Sequence, residues 1–370
     1  MNTKKFILKS FNLNNFKNPK SFFYFQKFGW KYLGLDFENE KLTKLQINFL
    51  AIHCGIPLVY GIFQIIYFIE NYKNLLLLAD AKDLEEIEIN ARGNRRASIL
   101  LGNLAFAVFL TAMFFILLPI FKDCSRLFYG KKRLYLLPFK ASFPFNITFS
   151  PVYEIIYVLS CDDGIVPITG VTGCDGLFLG ICAHLSAQFD IISYRIKSLI
   201  QNECDFNKLT EKLSNHENDK LHKKLIELVK LHNKYINLCK VVSNCMWQNI
   251  FIYFLCSSIV ICILFLVITE FRSVDLMIFM SYLCGYLLQM LSYAISGNMM
   301  IEASANVAVS CYDFQWYKCN TKVRRVILMM MIRAQNSANV EIPFFEVSLE
   351  TFLIIIRAGA SYYTLVKSLL

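Results

Sequence analysis

The chain has 370 residues, 56% of them apolar and only 18% charged, with a mean hydropathy of +0.44. That length would accommodate two or three soluble domains, but a soluble domain rarely carries so little charge, and the apolar residues gather in long blocks that argue for one membrane-embedded unit. The net charge of +10 is spread between those blocks with no continuous patch, which fits segments facing anionic lipid and argues against a nucleic-acid partner.

A span needs roughly 20 apolar residues to cross about 30 Å of hydrocarbon. Residues 1–45 hold nine Lys and three acids. They lack the apolar core and cleavage site of a signal peptide and form an N-terminal polar segment. The first span, Asn48–Ile69, then serves as the insertion signal. The stretch NYKNLLLLADAKDLEEIEINARGNRRAS follows at 70–97, and its longest apolar run is Leu75–Ala79. That run is far short of a crossing, and KDLEEIEIN reads as a charged loop. Ala97–Phe121 is uncharged throughout and qualifies. Ser150–Phe189 is apolar but interrupted by Asp162, Asp163, Pro167 and Asp175.

Residues 190–240 form a long charged linker. Within it Leu221, Leu225, Leu228, His232, Tyr235 and Cys239 recur at spacings of four and three, the signature of an amphipathic helix with a packing seam. That helix is either an extension of the next span or a contact between subunits. Val241–Thr269 and Leu276–Ile301 are two more uncharged runs. Residues 302–345 are mixed, with a basic amphipathic piece at 322–333. Leu349–Leu370 is apolar apart from Glu350, Arg357 and Lys367. The expected organisation is all-α: an N-terminal segment to 45, membrane helices over 46–301, an anchor segment at 302–347 and a last helix at 348–370.

No enzyme signature is present: no HExxH, no GxSxG and no P-loop. The thirteen cysteines contain no CxxC pair and no metal-ligand spacing. No cofactor or metal is expected, and no disulfide framework. Gly170, Gly173, Gly176 and Gly180 fall within an apolar block, where close helix packing is the natural use of glycine, including GxxxG at Gly176–Gly180. His184 reads as a structural polar contact at a helix end. Asp162 and Asp163 are less ordinary, because an ionised Asp inside a span costs about 2.5–3.5 kcal/mol on insertion scales. They are expected to face water, to pair or to be neutral.

Three segments carry a resemblance. The C-terminal stretch has Tyr312-x-x-x-Trp316, a basic helix closing in Arg333-Ala334-Gln335, then Ser348-Leu349-x-x-Phe352 and Ser361-Tyr362. LPFKASFPFNITFSPVYEIIY at 137–157 and CDGLFLGICAHLSAQFDIISYRI at 174–196 are the other two. In this order and spacing the chain resembles the insect odorant receptors over about residues 25–370. Gustatory receptors, the sister family, usually end their last span with Thr-Tyr, five apolar residues and Gln-Phe. Ser361-Tyr362-Tyr363-Thr364-Leu365-Val366-Lys367-Ser368-Leu369 favours the odorant branch.

The resemblance implies seven spans, a cytoplasmic N-terminus and an outside C-terminus. It also implies four subunits around one pore, with odorant-specific chains assembling with a shared co-receptor to form an odorant-gated cation channel in the olfactory neuron membrane. In that topology the inside segments carry 28 Lys and Arg and the outside segments eight, in keeping with the positive-inside rule. Asn146, in the sequon Asn146-Ile147-Thr148, then lies outside as a glycosylation acceptor.

Alignment of the last helix places the pore constriction at Leu365 and Leu369, which share a helical face with Ser361 and Arg357. The bland reading of that face is a leucine stripe against lipid or a partner. The odorant pocket is expected in the outer half of the membrane, with Phe106, Phe109, Met113, Tyr157, Met290 and Tyr293 as apolar and aromatic walls. One of Asp162 and Asp163 is expected to favour basic amines there, the alternative being exposure to the outer vestibule. The family's second span is the departure, for residues 70–97 read as if one helix were missing. A truncated, non-functional receptor and a multi-pass small-molecule transporter are the competing readings.

Overall fold

The computed structural model describes residues 83–138, 147–203, 214–270 and 276–369. Six helices carry the fold among them: α1 (Leu84–Phe128), α2 (Val152–Glu203), α3 (Asn215–Glu270), α4 (Leu276–Asp313), α5 (Thr321–Gln335) and α6 (Leu349–Leu369). A 3-10 turn at Trp316–Lys318 precedes α5. An antiparallel hairpin, β1 (Glu341–Ile342) with β2 (Phe345–Glu346), precedes α6. All but α5 contain a stretch long and apolar enough to cross a membrane. The expected first span, Asn48–Ile69, and most of the doubtful second-span region lie outside the described residues.

Each helical residue rises 1.5 Å, so α1 with 45 residues is about 68 Å long and α3 with 56 is about 84 Å. Both project well beyond a hydrocarbon layer of about 30 Å. In α1 the projection is the charged stretch expected as a loop; the structure corrects this to helix from Leu84 onward. The reason is a stripe that hydrophobicity conceals. Glu86, Asn90, Asn94, Ala97, Leu101 and Leu104 are all buried at spacings of four and three, and the first three are polar. Glu86 accepts from Arg195 Nε at 2.7 Å and from its terminal nitrogen at 2.8 Å. Asn90 Oδ1 accepts from Gln188 Nε2 at 3.0 Å. Gly93 lets α1 and α2 approach closely, since a Cβ there would stand 3.1 Å from that of Ala187.

The backbone of α2 stays helical through Asp162, Asp163 and Pro167, as membrane helices tolerate proline. Its apolar window within Asp175–Leu199 is 94% buried, against 11% for the windows of α1 and α6. It is the central helix, packed chiefly between α1 and α4, and this explains why it is apolar all round.

A capping box starts α3: Ser214 Oγ accepts from Glu217 N at 3.3 Å while Glu217 Oε2 accepts from Ser214 N at 2.9 Å. The seam from Leu221 to Cys239 is buried throughout. It packs into this chain's own core, as an extension of the following span.

Small residues on α4, among them Ser292, Ala294, Ser296, Gly297, Ala303 and Ser304, are buried, the pattern that allows membrane helices to pack closely. The basic piece expected at 322–333 is α5, which buries Val323, Ile327, Met330 and Ala334. Asn320 caps it through Val323 N at 3.0 Å, and its own N–H donates to Asn218 Oδ1 at the start of α3 at 2.9 Å. The chain then returns along α3 as α6, seated where a Cβ on Gly359 would stand 2.8 Å from Ile261 Cγ2.

Candidate functional site

Asp175 on α2 is 6% exposed. Its carboxylate accepts from Tyr293 OH at 2.7 Å and from Gln289 Nε2 at 2.6 Å. Both donors lie on α4, four residues apart and therefore on one face. A carboxylate in hydrocarbon is costly unless it is hydrogen-bonded, so these two donors lock the register of α2 on α4. Phe178 stacks on the Tyr293 ring at 4.8 Å. Tyr253 of α3 lies 5.7 Å from Tyr293 and 5.5 Å from Tyr286. The Tyr286 and Ser257 hydroxyls are 2.9 Å apart. Three helices thus meet in one polar and aromatic centre, beside the fully buried Met290.

Toward the Phe128 end of α1 the contacts are sparser and more polar. Tyr157 donates to the Ile116 carbonyl and Tyr153 to the Leu136 carbonyl. The Thr111 hydroxyl donates to the Ser281 carbonyl of α4 at 3.2 Å. Met113 and Tyr157 are half-buried there.

The structure therefore brings Met290 and Tyr293 together with Asp175 and leaves Met113 and Tyr157 in the neighbouring, more open region. Phe106 and Phe109 are 66% and 54% exposed on the outward face of α1 and do not join the centre. The side chains of Asp162 and Asp163, and the whole of Asn146, lie outside the described residues. His184 is buried in the α2 core. On α6, Arg357, Ser361, Leu365 and Leu369 are exposed, as are Tyr362, Thr364, Lys367 and Ser368 beside them, while Thr351, Ile355 and Gly359 are buried.

Asp175 with its partners Gln289 and Tyr293 is the constellation that sequence reading did not assemble. The available signal was general: an ionisable residue inside a span marks a site by default. Asp162 and Asp163 drew that inference instead, because nothing in the linear chain places Gln289 and Tyr293 opposite Asp175.

The 7tm odorant receptor family model matches residues 40–359. Similar proteins include odorant receptor 24a of Drosophila melanogaster, 28% identical over 242 residues that cover 65% of this chain and 60% of that protein. Odorant receptor 22c of the same fly is 28% identical over 243 residues, covering 63% of this chain and 60% of the other. Odorant receptor 10 of Aedes albopictus is 22% identical over 336 residues, 84% of each. The chain thus spans about 60% of the length of the two fly relatives. The olfactory receptor OR5 of Machilis hrabei in complex with eugenol superposes with a TM-score of 0.68 at 15% identity, over 95% of this chain and 90% of that one, which shows a shared fold. With five helices able to span a bilayer and a family match over most of its length, this chain is a multi-pass membrane protein that belongs to the 7tm odorant receptor family.

Proposed function

We propose that the chain is the odorant-selective subunit of an odorant-gated, non-selective cation channel, assembled with a shared co-receptor in a heterotetramer at the dendritic plasma membrane of olfactory neurons. The exposed end of α6 carries this reading. Leu365 and Leu369 are 60% and 80% exposed on a helix whose Gly359 is seated against Ile261 of α3. An open apolar end on a seated membrane helix suits a shared central path. In a ring of four, Leu365 and Leu369 form an apolar constriction that gates by dewetting, with Ser361 and Arg357 on the same line. The Lys and Arg distribution puts the Glu86–Arg195 end of the bundle and α5 in the cytosol.

The odorant pocket then lies in the outer half, with Met113 and Tyr157 on its walls and the centre at Met290 and Tyr293 as its floor. Phe106 and Phe109 look outward from α1 and stay off its walls, and one of Asp162 and Asp163 favours basic amine ligands. A volatile ligand acts by binding the open state more tightly than the closed one. Co-expression with a co-receptor in oocytes tests this: volatile-evoked cation current is expected only when both chains are present. Full surface expression of both chains with no current from a broad volatile panel would overturn it.

A further inference from the structure

A cavity of 440 Å³ opens between α1, α2 and α4, at the end of the bundle where α1 begins. Its lining includes Arg92 and Arg96 of α1, Asp190, Ser193 and Lys197 of α2, and Asn306 of α4. Its depth follows from the sequence. The uncharged run of α1 begins at Ala97, next to Arg96, and that of α4 ends at Ile301, shortly before Asn306. The cavity therefore sits where hydrocarbon gives way to headgroups.

Three cations here face one carboxylate. Arg92 pairs with Glu88 on the solvent side at 3.6 Å, with side chains 60% and 74% exposed. Such an exposed pair is weak and leaves the guanidinium available to a ligand. Gly93 and Ala187 also line the cavity. Their small size is what the close α1–α2 approach requires, and it leaves the interior open. Ser193 lines the same wall; the residue is 8% exposed, and its hydroxyl oxygen, itself buried, has no hydrogen-bond partner among the described residues. A buried hydroxyl without a partner is uncommon and points to a missing polar group. Beyond Arg96 the surface of α1 turns apolar and exposed at Ile99 and Phe106, a track suited to an acyl chain.

We propose that this cavity binds the phosphate of an anionic phospholipid, whose acyl chains run along the exposed face of α1. Arg92 and Arg96 offer paired donors to phosphate oxygens, and Lys197 adds a third positive charge. A rotation of the Ser193 side chain to another staggered position brings its hydroxyl to a further oxygen. Asp190 lies beside both arginines and accepts from a headgroup hydroxyl. Because the site takes one wall from each of three helices, an occupied site holds α1, α2 and α4 together. This inference needs only the membrane setting and stands independently of the channel reading.

The test is binding of dioctanoyl phosphatidylinositol 4,5-bisphosphate to the purified full chain in detergent, followed by native mass spectrometry. Dioctanoyl phosphatidylcholine serves as the neutral lipid, inorganic phosphate as the free anion. Saturable binding of the anionic lipid is expected. The Arg92→Gln/Arg96→Gln variant should weaken it about 25-fold, roughly fivefold for each basic side chain. A Lys223→Gln/Lys230→Gln variant, which removes two exposed charges elsewhere on α3, should leave it unchanged. Ser193→Ala and Arg96→Gln alone should each weaken binding at an unaltered elution volume, which keeps the test sound if the double variant misfolds. Equal loss in the Lys223/Lys230 variant would reduce the site to general basic attraction and overturn the proposal. So would inorganic phosphate binding as tightly as the lipid, or no binding at all.

Discussion

Asp175 places a carboxylate inside a helix bundle and is tolerable there because α4 brings two donors to it. Tyr293→Phe keeps the ring stacked on Phe178 but leaves the carboxylate with Gln289 alone. The expected loss is about 1–3 kcal/mol, the cost of a buried acceptor deprived of a partner, read as lower thermal stability of the purified chain. An unchanged melting curve would show that the hydroxyl carries no such role. His232, in the charged first part of α3 ahead of the uncharged run that begins at Val241, is 2% exposed and edge-on to Phe189, and its Nε2 has no hydrogen-bond partner among the described residues. Burial, and to a lesser degree the charge of Arg333, push its pKa down to about 4 from 6.5. The folded chain thus binds fewer protons than the unfolded one between those values. Stability from this group is complete above pH 6.5 and falls as the pH drops toward 4, by on the order of 2–3 kcal/mol. In His232→Phe that part of the pH dependence should vanish in denaturation series at pH 7 and pH 5.

At the scale of the helix, α1 and α6 show two ways in which a face is chosen. The Leu84 end of α1 is held by a polar stripe, so its helicity depends on α2 being present. The seat of α6 is steric. Gly359→Val would drive a branched side chain into Ile261 and cost about 1–3 kcal/mol as overpacking. A Gly359→Ala/Ile261→Ala pair should recover much of what Gly359→Ala alone loses, measured as thermal stability. The open end makes a separate prediction. On the proposed channel reading, Leu365→Ser with Leu369→Ser would replace an apolar constriction with a wettable one, so co-expression with the co-receptor should pass more current without odorant. Unaltered resting current with normal surface expression would place those leucines away from the conduction path.

Across the whole molecule, the end of the bundle where α1 begins is bound by a ladder that no single helix contains. Arg195 joins Glu86, and Tyr235 OH donates to Gln188 Oε1 at 2.9 Å while Gln188 donates to Asn90. Three helices are tied there by side chains that reach across 98 to 109 residues of chain in the α1–α2 bonds. Arg195→Gln removes the two guanidinium hydrogen bonds from Glu86, whose side chain is only 2% exposed. The expected cost is about 3 kcal/mol, as for other broken buried pairs, and Glu86→Gln added to it should return part of that loss. Thermal unfolding of the single and double variants measures both.

Periodicity and composition by themselves determined the helical class, the apolar spans at Ala97–Phe121, Val241–Thr269 and Leu276–Ile301, the seam of α3 and the amphipathic α5. These are local properties, set by which residues recur every three or four positions and by how long a run escapes charge. The motifs added the family. Tertiary structure alone decided that KDLEEIEIN is helical, because its buried face is polar and becomes a face only when Arg195 and Gln188 stand opposite. It also decided that Asp175 is paired, that Phe106 and Phe109 look outward, and that the Leu369 end of α6 is left uncovered. Each of these depends on which residues meet across long separations in the chain, and no periodicity within a single helix carries that information.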